Sequence, residues 1–211
     1  MKPYAVTLAN DTLTIENSRI LRQYRWNGGN LITQKIADKR SGRVWDLTGS
    51  APDFVLPGVE GDACDSKLTV GDVAQTAIAP AHGQAEVYFR IGNLHVRRVF
   101  RIYAGCPAIA CDYYLKGAWA AGDATVPGGV IERIASSRPH LKLSAVQFFD
   151  ISDYRNTMVQ TRTVIPYRFD NPLVGSLFLL QDTFSDSGLF VLKEAPCSDT
   201  QLAWPGYDVV F

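Results

Sequence analysis

Residues 84–103 read QAEVYFRIGNLHVRRVFRIY. Ala85, Val87, Phe89 and Ile91 alternate with Glu86, Tyr88 and Arg90, the period of two that sends successive side chains to opposite faces of a strand. Gly92-Asn93, a dipeptide suited to positive φ, breaks the pattern, and LHVRRVFRIY resumes it. That is the signature of a two-residue β-hairpin. Its register is specified, because a slip of one residue would expose Phe89 and Phe100. After Gly105-Cys106-Pro107, AIACDYYLKG sets Ile109, Cys111, Tyr113 and Leu115 on one face. Three antiparallel strands in succession predict a meander.

The same reading extends in both directions. Towards the N-terminus, TLTIEN and RILRQYRW lead into the turn Asn27-Gly28-Gly29-Asn30, and LITQKIAD and RVWDL flank the turn Lys39-Arg40-Ser41-Gly42. Towards the C-terminus, KLTVGDVAQT, GVIERIA, LKLSAVQFF, TMVQTRTVIPYRF, LVGSLFLLQ and SGLFVLKEA read as strands. About a dozen strands at this spacing suit a sandwich or barrel. No window carries a capped helical period. So many strands must close or stack as two sheets to hide their edges. The expected fold is all-β, an antiparallel two-sheet sandwich.

Lys plus Arg and Asp plus Glu both total 21 in 211 residues, so the formal net charge is zero. That argues against a broad footprint for nucleic acid or an anionic membrane. The densest basic stretch holds Arg97 and Arg101 on one strand face and Arg98 on the other, all expected to be solvated. No segment approaches a membrane span, and MKPYAVTLAND lacks the apolar run of a signal peptide, so a soluble protein is expected.

Catalytic chemistry finds little to work with. The three histidines, His82, His95 and His140, are scattered, with no base-and-acid pairing suggested by their spacing. Asp112, Glu132 and Asp150 fall on alternating strand positions where a solvated face explains them, and Glu194 follows a strand. A nucleophile elbow, a phosphate loop and a metal-ligand spacing are all missing. Cys64, Cys106, Cys111 and Cys197 form no C-x-x-C and are expected as free, buried thiols. No catalytic residue, metal or cofactor is therefore assigned. Binding is the remaining chemistry, since sugars lay apolar faces on aromatic rings. Trp26, Trp119, and Trp204 with Tyr207 stand in or near loops, and each has packing at a sandwich edge or domain seam as its plainer explanation.

Several segments together resemble the N-terminal domain of α-galactosidase-type glycoside hydrolases. They are Glu16-Asn17 with SRILRQYRWNGGNLIT, then KIADKRSGRVWDL, VRRVFRIYAGCPAIACDYYLKG, and SGLFVLKEAPCSDTQLAWPGYD. In those bacterial enzymes a β-supersandwich, similar to galactose mutarotase, precedes a (β/α)₈ catalytic barrel. The resemblance implies a supersandwich over residues 1–196 and an exit segment, 197–211, leading to a catalytic domain of the same polypeptide. It also implies a bacterial cytoplasmic or periplasmic setting and a carbohydrate ligand, and it allows a homo-oligomer. The apolar ending Tyr207-Asp208-Val209-Val210-Phe211 agrees with a chain that continues. Asp53-Phe54 with Pro57 loosely matches a family loop that reaches the barrel, so Asp53 and Phe54 join the loop aromatic Trp204 as the candidate substrate-binding residues. The plainer reading tucks Phe54 into its own sandwich. A free-standing carbohydrate-binding module and a mutarotase-type isomerase are the alternative functions.

Overall fold

The computed structural model describes residues 2–47, 49, 52–55, 59, 61–117, 140–148, 159–164, 174–175, 177–185, 187–194 and 209–210. Every regular element among them is a β-strand, and every pairing is antiparallel. The chain divides into two compact units, residues 1–120 with 129–137 and residues 121–128 with 138–211. The span 1–196, expected as one sandwich, thus takes in the whole first unit and much of the second.

The first unit stacks two sheets. One is a meander of β1 (Tyr4–Ala9), β2 (Thr12–Asn17), β3 (Ile20–Trp26), β4 (Leu31–Asp38) and β5 (Arg43–Asp46), in sequence order. The other is a meander of β6 (Cys64–Val73), β7 (His82–Ile91), β8 (Leu94–Tyr103) and β9 (Ile109–Lys116). The hairpin read from residues 84–103 joins β7 to β8. Gly92 takes a φ of 55° at the first turn position while Asn93 stays negative, the pattern of a II′ turn. Strand β1 went unread in the sequence. It pairs with β2 through Asn10-Asp11, at φ 48° and 57°, a I′-type turn made without glycine by the two residue types that best tolerate the left-handed region.

Leu13, Ile15, Tyr24 and Leu31 of the first sheet meet Ala85, Val87, Phe89, Ile91, Leu94, Val96, Phe100 and Ile102 of the second. Each buried Val, Leu, Ile or Phe of such a core contributes roughly 1.5–3 kcal/mol against exposure. A β-bulge shapes the first sheet: Tyr24 pairs with Thr33 and Gln23 with Lys35, so Gln34 is an extra residue. Thr33 and Ile36, three apart, are consequently both buried.

Arg98 corrects the expectation of a solvated basic stretch. Its pairing with Val87 and Tyr113 places it on the inward face with Val96 and Phe100, and it is fully buried. The guanidinium carbon lies 5.0 Å from the Phe100 ring centre and 5.2 Å from that of Tyr113, and Nη2 donates to the Tyr113 hydroxyl at 3.1 Å. A planar, weakly hydrated cation between aromatic faces survives burial where an ammonium would not. Arg97 and Arg101 do share the outward face.

Asn17, buried at the end of β2, ties the two sheets together. Its Nδ2 donates to the carbonyls of Tyr103 and Cys106, both at 2.7 Å. Its Oδ1 accepts from the amides of Arg19 at 2.7 Å and Ile20 at 3.0 Å. One side chain thereby satisfies the β2–β3 turn and the end of β8 at once.

In the second unit β10 (Leu141–Phe148), β11 (Val159–Val164), β13 (Leu177–Asp182) and β14 (Ser187–Leu192) form a sheet in the order β11-β10-β13-β14. Leu143 pairs with Leu180, and Ala145 with Phe178, and all four are buried. A separate two-stranded ladder joins β12 (Val174–Gly175) to β15 (Val209–Val210), so part of the expected exit segment pairs within this unit. The strand expected at GVIERIA lies outside the described residues. Among the described residues no helix is long and apolar enough to cross a membrane.

Candidate functional site

The loop expected to offer Asp53 and Phe54 to a ligand turns both inward. Asp53 is 1% exposed, and its amide donates to the Leu31 carbonyl at 3.0 Å. Its carboxylate accepts from the Thr33 amide at 3.0 Å and from the Thr33 hydroxyl at 2.8 Å. The same hydroxyl accepts from Arg22 Nη2 at 3.4 Å. Phe54, 2% exposed, packs edge-on against Phe89 at 5.3 Å and stacks on Tyr113 at 6.4 Å. Asn30 Nδ2 donates to the Phe54 carbonyl at 3.1 Å, and Asn27 Oδ1 closes the turn by accepting from Gly29 and Asn30. The segment is an anchor, holding β4 and its turn to the core. We expect Asp53→Ala to lower stability by about 2–3 kcal/mol, because it strips two partners from Thr33 in a dry site. A thermal melt of the variant checks this; an unchanged midpoint would contradict the anchoring role.

Trp26 is half-buried against the core rather than offered at a loop tip. Trp204 and Trp119 lie outside the described residues. So do Cys197, Glu132 and Asp150. His82 is buried at the start of β7, its Nδ1 2.8 Å from the Pro80 carbonyl, and its ring centre is 5.1 Å from that of Tyr103. His140 meets Phe184 edge-on at 4.6 Å. Glu194 is exposed after β14. Cys106 and Cys111 are half-buried free thiols, whereas Cys64, expected inside, is exposed at the start of β6. Among the described residues no group of three or more His, Cys, Asp or Glu could hold a metal ion.

What the structure brings together is the outward face of β6–β9. Register sets Lys67, Tyr88, Arg97 and Tyr114 in one lateral rank across all four strands. The next rank runs Thr69, Glu86, Val99 and Asp112, and on the other side Arg90, His95 and Lys116 align. Arg97 Nη2 bonds Glu86 Oε2 at 2.9 Å, and its guanidinium carbon sits 5.1 Å from the Tyr114 ring centre. The hydrogen bond that Arg97 donates to Glu86 holds its guanidinium above the ordinary pKa. Asp112 pairs with Arg101, and Asp65 with Arg90 at 2.8 Å. The Tyr88 hydroxyl hydrogen-bonds His95 Nδ1, which fixes that ring. Tyr114 is 50% exposed. Alternation along QAEVYFRI already put Tyr88 outward, but the rank that unites it with Arg97 and Tyr114 depends on register across two successive strand pairs.

No family model, no curated protein and no solved structure matches this chain.

Proposed function

We propose that this chain is a non-catalytic N-terminal accessory domain of an α-galactosidase-like glycoside hydrolase, supporting a carbohydrate active site on a C-terminal barrel of the same polypeptide. The observation that carries the non-catalytic reading is the state of the carboxylates on the outward face of β6–β9. Glu86, Asp112 and Asp65 are each held by an arginine from a neighbouring strand. Glycoside hydrolysis asks for two carboxyl groups facing each other across the bond, about 5–5.5 Å apart for retention or 6.5–9.5 Å for inversion. Each of these acids is instead engaged by an arginine on the same sheet face. The supersandwich likeness of the quoted segments and the stacked antiparallel sheets of the first unit support the family reading.

The purified chain is expected to hydrolyse no aryl α- or β-galactoside above buffer background. Turnover that disappears with Glu194→Gln would overturn the assignment. An antibody raised against the chain should detect a native polypeptide far longer than 211 residues. A native product of this size alone would favour a free-standing carbohydrate-binding module, the second reading, which the Tyr88–Arg97–Tyr114 rank also suits.

A further inference from the structure

We propose that the outward face of β6–β9 binds a neutral oligosaccharide across Tyr88, Arg97 and Tyr114. This rests on the carbohydrate reading above and gives the domain a contact surface of its own. Strand spacing puts the two tyrosines of the rank roughly 10 Å apart, enough for more than one sugar ring. Both rings are steadied before any ligand arrives: Tyr88 by its bond to His95, Tyr114 by the guanidinium over its face. A surface that is already ordered loses little side-chain freedom on binding.

Arg97, between the rings in its rank, is bonded to Glu86 of the next rank, which sets a donor and an acceptor in fixed relation. Arg97 and Glu86 meet through one nitrogen and one oxygen, with side chains 47% and 30% exposed. Nη1 and Oε1 are left to meet vicinal hydroxyls, one donating and the other accepting. Aromatic faces with a few fixed polar groups are what sugar sites use, since the ring C–H face is apolar and the hydroxyls set orientation.

Charge selects between the two polymers that an aromatic, basic sheet face attracts. Single-stranded RNA also stacks on such rings, but it draws its affinity from cations free to neutralise phosphates. Here Arg90, Arg97 and Arg101 are each paired with an acid on the same face. Lys67 and Lys116 stand on the outer strands of the sheet, β6 and β9. A largely neutralised surface favours an uncharged ligand.

The test is titration of the intact chain with neutral tetrasaccharides of galactose, glucose, mannose and xylose, and with oligouridylate. At least one tetrasaccharide should bind. Tyr114→Ala and Arg97→Ala should each weaken it by about tenfold or more, while Tyr114→Phe, which keeps the ring, stays within about threefold. Thermal midpoints of these exposed variants should match the parent. The inference is overturned if no tetrasaccharide binds, if both alanine variants bind like the parent, or if only oligouridylate binds, with steep salt dependence. Each of those outcomes leaves the hydrolysis result, and with it the non-catalytic reading, standing separately.

Discussion

Phe54→Ala is expected to destabilise the first unit by about 3–5 kcal/mol, the range for emptying an aromatic site in a dry core. The ring is almost completely buried between Phe89 and Tyr113, yet it sits outside the regular strands of both sheets. Its neighbours come from β7 and β9, whose positions the ladder fixes, so they cannot collapse into the space. The loss should therefore fall near the upper end. Phe54→Leu, which keeps part of the volume, should lose about half as much. Urea unfolding followed by circular dichroism gives both numbers. A loss below about 1 kcal/mol for the alanine variant would mean that the loop does not pack as described.

Asn17→Ala should remove about 2–4 kcal/mol, although the side chain is small. The substitution deletes four hydrogen bonds and leaves two carbonyls and two amides to find new partners in a buried corner. Asn17→Asp is the informative companion. It keeps the acceptor side towards Arg19 and Ile20 but turns an anion towards the carbonyls of Tyr103 and Cys106. At neutral pH it should be no more stable than the alanine variant. If Asn17→Asp instead behaved like the parent, the bonds to Tyr103 and Cys106 would not be the ones that matter.

The hairpin at Gly92-Asn93 and the meander around it were legible because each strand has one buried face, and alternation then names the inward residues. The same rule already placed Arg98 beside Val96 and Phe100. Charge alone suggested that it was solvated, and the aromatic pair that shelters it comes partly from β9, which only the ladder brings near. Strand β1 escaped notice because its turn, Asn10-Asp11, lacks the glycine that usually marks such a hairpin. Asp53 and Phe54 were singled out by the resemblance to a family loop, but their direction depended on Thr33, which a bulge twenty residues earlier keeps inward. The rank of Tyr88, Arg97 and Tyr114 lay beyond a one-dimensional reading, since no two of its members are neighbours on one strand.

Asn17 also bears on the order in which the chain assembles. Its partners lie 86 and 89 positions further along, so its bonds close loops of that length. Loop closure on this scale is entropically unfavourable until both meanders exist, whereas the hairpins within each meander close locally. The clasp should therefore form late, after the main barrier has been crossed. A late clasp acts on departure rather than arrival: Asn17→Ala should leave the refolding rate nearly unchanged and put most of its effect into faster unfolding. The side chain that sets how long the two sheets stay together would then have almost no say in how quickly they meet.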